Sequence, residues 1–461
     1  MPLSPPALDG ILAQIDPGML QTLLSTPRSP LCDGQYLHWD ELRHRTPPAG
    51  LSHELWWLNI KLARTALSQV LPLADRDGKA FQFAMPEPAL RALHFIDRDA
   101  AGQILMDAPV ASPQDRDRYL VSSLIEESIT SSQLEGASTT RRVAEDMLRA
   151  GRRPQTPSER MIFNNYQAMQ HIRAIGQEPL SPALILQLHQ RLTAGTMENP
   201  ADAGRLRQTD DVHVVDPRGV GKHAGKLLHI PPAASSLAER MQRLCEFANG
   251  SEIDTPFVHP VVRAILLHFM LGYDHPFVDG NGRTARALFY WAMARQGYWL
   301  MAYLSISNVL RRTPGQYARA YLHTETDGND TTYFLLHQLD VISQAIDALQ
   351  GYLKEKTRET RATERLLEGA QLRSLCNHRQ IALLSHALKH ADALYTVESH
   401  RASHAVAYAT ARADLLQLAE LGLLRQQSQG KRFVFLVPGD LSKRMNLETS
   451  VGTHAGADFF A

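Results

Sequence analysis

The chain has 461 residues, 44% of them hydrophobic, with 48 Lys+Arg against 48 Asp+Glu. That length supports roughly two to four domains, and the charge balance excludes a chain-wide field for nucleic acid or membrane. Cys32, Cys245 and Cys376 have neither disulfide-framework nor zinc spacing, no apolar run is long enough to span a membrane, and no signal peptide is legible. The expectation is a soluble protein of a reducing, cytoplasmic compartment.

Residues 1–30 are proline-rich and weakly patterned and predict a loose arm. WWLNIKLARTALSQV (56–70) has the spacing of an amphipathic helix and FQFAM (81–85) that of a short strand, so residues 1–112 make an N-terminal arm and mixed α/β region. YLVSSLIEESITSSQLEGAS (119–138) predicts one helix ending at Gly136, with Ser131 and Glu135 on one face. VHVVD and LLHIPP flank a glycine-rich turn at 212–232, a β-hairpin among helices. GVGKHAGKL (219–227), within that hairpin, lacks the phosphate-loop spacing and reads as its turn.

HPVVRAILLHFMLGY (259–273) and RTARALFYWAMARQG (283–297) are two further helical patterns, joined by HPFVDGNGRTAR (275–286). A glycine-rich turn opening a helix offers unpaired N–H groups to an anion. Gly280, Asn281 and Gly282 let the backbone approach phosphate, and Arg283 and Arg286 share one helix face. Asp279 is a hard oxygen ligand suited to Mg²⁺, and a neutral His275 could take a proton from an attacking hydroxyl. His259, His268, His213 and His229 read as core, capping or surface residues.

These residues resemble the signature of the Fic family, His-Pro-Phe-x-(Asp/Glu)-Gly-Asn-Gly-Arg-x-x-Arg, with Ala285 where many members have glycine. The resemblance extends over about 115–350 and implies a mainly α Fic domain at 113–350, with a β-hairpin flap that clamps the target as an added strand. It implies transfer of AMP from ATP to a Ser, Thr or Tyr hydroxyl of a target protein, with release of pyrophosphate. His275 would be the base and Asp279 the Mg²⁺ ligand. Asn281 and the Gly280–Gly282 backbone would cradle the α- and β-phosphates with Arg283 nearby, and Arg286 would reach the γ-phosphate. Arg207, before the flap, stands where the family often has arginine. Ser131-x-x-x-Glu135-Gly136, in a helix at 119–136, resembles the family's inhibitory motif, in which the glutamate pairs with the arginine that is here Arg286. AutoAMPylation and a homodimer stay open. So do removal of AMP through the same loop, other transfers known on this fold, and a nucleotide-sensing regulator.

GYLKEKTRETRATERLLEGA (351–370) predicts a solvated linker helix. Residues 371–440 then show three helical patterns and a terminal β-like segment, and resemble a winged helix-turn-helix, with YATARADLLQLAELGLL as recognition-type helix and GKRFVF as wing. Ten Lys/Arg against five Asp/Glu over 371–446 allow DNA contact without demanding it, and Arg401, His404 and Arg412 are the side chains to test. The tail at 441–461 lacks periodicity and predicts disorder.

Overall fold

The computed structural model describes residues 1–101, 113–175, 177–215, 225–250, 256–368, 375–390, 392–404, 406–429 and 432–445. The hairpin turn at 216–224 therefore lies outside the described residues, as does the tail from 446. Two compact units divide at Leu349 and Gln350.

The first unit begins with α1 (Leu8–Leu12), α2 (Pro17–Ser25), α3 (Trp39–Leu42) and α4 (His53–Leu67). Asp16 caps α2 by accepting from Met19 N, and Ile11 and Leu23 are buried beside Trp39 and Trp57, so the arm expected at 1–30 is folded. The signal was present: Asp16-Pro17 is a helix start that the sparse apolar pattern obscured. The hairpin β1 (Ser68–Ala74) and β2 (Ala80–Ala84) is antiparallel, and α5 (Glu87–Ile96) follows. Leu71, Leu73, Phe81 and Phe83 join the main core, so no unit boundary falls near 112.

The rest of this unit is helical: α6 (Pro113–Leu134), α7 (Arg141–Ala150), α8 (Pro157–Ala174), α9 (Pro182–Thr193), α10 (Leu237–Ala248), α11 (Pro260–Asp274), α12 (Asn281–Arg295), α13 (Ile306–Arg312) and α14 (Pro314–Thr326). Between α9 and α10, β3 (Val214–Val215) pairs antiparallel with β4 (Leu227–His229). Helix α11 is buried on every side, from Val261 to Asp274, and α12 nearly so. A helix buried all round belongs at the centre of a core, and these two carry the loop between them. Helix α15 (Thr332–Glu368) is continuous, so the expected linker is the second half of a longer helix.

The second unit contains α16 (His378–Lys389), β5 (Leu394–Tyr395), α17 (Val397–His404), α18 (Tyr408–Glu420), β6 (Arg425–Gln429) and β7 (Arg432–Leu436), with antiparallel sheet order β5-β7-β6. Asn377 and Gln380 form a reciprocal cap on α16, and Thr396 Oγ1 accepts from Ser399 N at the start of α17. Leu415 and Leu418 are buried while Leu421 packs at the edge. Leu441 and Met445 are also buried here, so the boundary expected at 440 falls inside packed structure. Among the described residues no helix is long and apolar enough to cross a membrane.

Candidate active site

Helix α11 ends at Asp274, and His275 takes a left-handed conformation (φ 45°, ψ 55°) that reverses the chain into the loop. A residue with a Cβ adopts this only where surroundings enforce it. Its Nδ1 lies 3.3 Å from the Gly272 carbonyl, which can only accept, so Nδ1 carries the proton and Nε2 keeps its lone pair. Burial, first, lowers the pKa of this imidazole to about 4, so it is neutral at pH 7.

The loop is fastened to the core in three ways. Phe277 is fully buried and stacks on His189, ring centroids 3.7 Å apart. Asn281 Nδ2 donates to the Phe277 carbonyl (2.8 Å) and its Oδ1 accepts from Phe277 N (2.9 Å). Its side chain is thus committed to the loop itself, and its backbone is left to face an anion. His189 Nδ1 accepts from Gly204 N, so its Nε2 donates to the Asp279 carbonyl (2.8 Å). Burial lowers the His189 pKa to about 4. Nothing in the local sequence marked His189, because its partners are 15 and 90 residues away.

Gly280 (φ 84°) has Thr193 and His189 against its Cα, so no larger residue fits there. A side chain on Gly282 would collide with the Glu135 carboxylate. Asp279 Oδ1 accepts from Gly280 N (2.6 Å), and the side chain is half exposed. Arg283 is fully buried: Nη1 donates to the Leu192 carbonyl (3.1 Å), Nη2 lies 3.3 Å from Asp279, and Nε has no partner among the described residues. Burial lowers its pKa, partly offset by Asp279 and Glu135.

Arg286 faces α6. Its Nε donates to Ser131 Oγ (2.8 Å), and Nη2 donates to the Ser131 carbonyl (2.9 Å) and Glu135 Oε1 (2.8 Å). Burial opposes its charge most, but Glu135, Tyr317 and Glu127 together raise the pKa. Glu127, two turns earlier on the same face, is buried and accepts from Ser307 N, Ser307 Oγ and Ser305 Oγ. It anchors α6 to the start of α13, a role the sequence reading missed. Burial, first, raises its pKa despite these donors.

The hairpin has exposed apolar residues at Val215 and Leu227. His229 is buried between the Tyr273 carbonyl (2.7 Å) and Glu325 (2.8 Å), not on the surface as expected, whereas His213 is exposed. His259 caps α11 through Val261 N and His268 is buried against Tyr317. In the second unit Arg401 and Arg412 are exposed, and His404 is half-buried beside His400. Among the described residues no three His, Cys, Asp or Glu converge as a metal cage. Asp279 alone suits Mg²⁺, which commonly takes one or two carboxylates and completes its shell with water and phosphate oxygens.

Residues 179–293 match the model of the Fic/DOC family. The chain carries a Fic domain. The match covers the flap and the 275–286 loop but leaves Ser131 and Glu135 outside it. Among curated proteins, the "Protein adenylyltransferase Fic" of Drosophila grimshawi is 35% identical over 133 residues, 28% of this chain and 24% of that protein. That of Drosophila melanogaster is 38% identical over 114 residues, 25% of this chain and 20% of that protein. The aligned part of the chain therefore spans only about a quarter of these relatives' length. A Fic family protein from Desulfovibrio desulfuricans G20 shares the fold, with TM-score 0.50 and 18% identity over 77% of this chain and 96% of that one.

Proposed function

We propose that the chain is a self-inhibited protein AMPylase that transfers AMP from ATP to a Ser, Thr or Tyr hydroxyl of a target protein. The α-phosphate lies at the N-terminus of α12, where the first-turn N–H groups have no partners within the helix. His275 Nε2 accepts the hydroxyl proton as that oxygen bonds to the α-phosphorus. The bond from that phosphorus to the α,β-bridging oxygen breaks, and pyrophosphate leaves. Mg²⁺, held through Asp279, would neutralise phosphate charge when bound. Arg283, with its unpartnered Nε, and Arg286 balance the polyphosphate. The target segment adds as a strand beside β3–β4, and the chain's own hydroxyls are alternative acceptors.

The observation that carries this reading is the pairing of Arg286 with Glu135 and Ser131 next to a neutral imidazole. An arginine so engaged is withheld from the γ-phosphate, and the carboxylate repels an incoming triphosphate. The test is incorporation of labelled AMP, into the chain itself and into proteins of a lysate, at equal enzyme and ATP. Glu135→Gly should raise incorporation about tenfold or more, the gain expected from releasing a partly desolvated ion pair. Glu135→Gly with His275→Ala should be silent. Equal incorporation by wild type and Glu135→Gly sinks self-inhibition, and a fall points to Glu135 as a participant in removing AMP.

The second unit we read as a winged helix-turn-helix, with α18 as recognition helix and β6–β7 as wing. Exposed Arg401 and Arg412 favour contact with DNA phosphates. Retention of the unit on duplex DNA, with a salt slope that shrinks in the double alanine variant, tests it. The three cysteines, buried and outside any disulfide, suit the cytoplasm.

A further inference from the structure

Three residues in succession before the loop turns are each gripped from outside their own helix. The Tyr273 carbonyl contacts His229 of the flap (2.7 Å). The Asp274 carboxylate accepts from Arg240 Nε (2.9 Å) and Nη2 (2.6 Å), and Arg240 also donates to the carbonyls of Ala74 and Asp75 at the end of β1. The His275 carbonyl accepts from Arg207 Nε (3.0 Å).

Arg207 does more than hold one carbonyl. Its side chain is 1% exposed, and its backbone N–H donates to the Pro276 carbonyl (2.9 Å). Nη1 donates to the Thr209 carbonyl (2.9 Å) and meets Asp210 (3.2 Å), just before β3. Nη2 donates to the Pro232 carbonyl, just after β4. Asp210 closes the bracket by accepting from Ala234 N (2.7 Å). One planar guanidinium thus joins both roots of the flap to the backbone of the residue that carries the base.

We propose that Arg207 is a positioning residue that fixes His275 in its left-handed backbone conformation and couples that conformation to the two roots of the flap. A segment docked on β3–β4 then meets a base already aimed, and the aim depends on the flap's own footing. The inference rests on the AMPylase reading for its consequence in the reaction, but not for its geometry. Lysine at this position keeps the charge yet cannot span acceptors on the flap and on His275 at once, because its donors radiate from a single atom.

The test compares wild type with Arg207→Lys. His229, Glu135 and Arg207 are the charged or titratable groups that act on the His275 ring, and all keep their charge type in this variant. Freed from its clamp, the imidazole turns towards solvent and titrates closer to the ordinary value of about 6.5. In the Glu135→Gly background, Arg207→Lys should lower kcat roughly 10–100-fold, the scale of an ångström of misplacement. KM for ATP should stay within about twofold because phosphate contacts lie elsewhere in the loop. The acid limb of kcat should move up towards about 6.5 relative to Glu135→Gly alone. NMR titration of the His275 ring, assigned with His275→Ala, reads the same change without any turnover. Wild-type kcat with an unmoved limb, or an unmoved NMR titration, overturns the proposal. A moved NMR titration in a chain that transfers no AMP to any acceptor retains Arg207's role and removes the AMPylase reading. If Arg207→Lys fails to fold, Asp210→Asn loosens the same bracket; it should move the titration in the same direction by less, and no movement overturns the proposal.

Discussion

The 275–286 loop and the second unit both contain buried charge, but they satisfy it differently. In the second unit Asp414 is buried and accepts from Asn377, Arg379 and His400, tying three helices into one network. These donors hold its carboxyl down to about pKa 2 against the cost of burial. In the loop, Arg283 is just as buried yet keeps an unpartnered Nε, and Arg286 leans on a carboxylate from a distant helix. A buried charge whose partners are complete serves architecture. One left incomplete, or paired across helices beside a glycine-rich turn, has donors to offer an anion. The arginines singled out on the second unit, Arg401 and Arg412, belong to neither class, since both stand in solvent.

The largest expected effect tests the loop. His275→Ala should lower AMP transfer by about 10²–10⁴-fold, the usual loss on removing a general base, while ATP affinity measured by calorimetry changes little. Near-normal transfer would take His275 out of the reaction and make the loop a binding element only. The next effect belongs to Ser131. Its hydroxyl accepts from Arg286 but carries no charge, so Ser131→Ala should raise AMP incorporation by a smaller factor than Glu135→Gly. An equal or larger rise would mean that the hydroxyl, rather than the ion pair, restrains the arginine.

Acid stability probes the first unit as a whole. Burial holds His38 and His268 down to pKa about 3, and His189, His275, His323 and His337 down to about 4. These groups are neutral in the fold and free to charge near pH 6.5 once unfolded, so the unfolded chain binds more protons between the two values. Their contribution is complete above about pH 6.5 and is lost as pH falls towards 4, which melting temperatures across that window will register. A flat profile would mean that the imidazoles are hydrated in the fold.

Asp414→Asn should destabilise the second unit by about 1–3 kcal/mol at pH 7, the range for hydrogen bonds to charged groups. The sign of its pH dependence follows from a depressed carboxyl: the wild-type advantage is complete above pH 3.8 and disappears as pH falls through about 2. Unfolding curves of the two proteins that stay parallel down to pH 2 would show that the network does not depend on the charge. Arg401→Ala with Arg412→Ala is the smallest effect, within about 0.5 kcal/mol in stability, as for exposed side chains. A larger loss would place these arginines in the architecture, alongside Asp414.

The local chemistry of the loop was legible in the sequence because its residues are contiguous: His275, Asp279, the two glycines, Arg283 and Arg286 need no distant partner to be recognised as a set. The helix start at Pro260 and the strands of the 212–232 hairpin were legible for the same reason, since capping and strand pattern act within a few residues. The link from Ser131 and Glu135 to Arg286 was legible only through a family resemblance, because no local rule joins residues 151 apart. Tertiary structure alone decided the rest. It turned His275 left-handed and gave its proton to Nδ1, committed the Asn281 side chain to Phe277, and buried His229 under the flap. It also drew the β1–β2 hairpin into the main core of the first unit and made Arg207 a bracket across 68 residues. Periodicity and spacing report what a segment prefers by itself. A buried polar group's partner is settled by which acceptor the folded chain brings within 3 Å or so, and that depends on every helix between them.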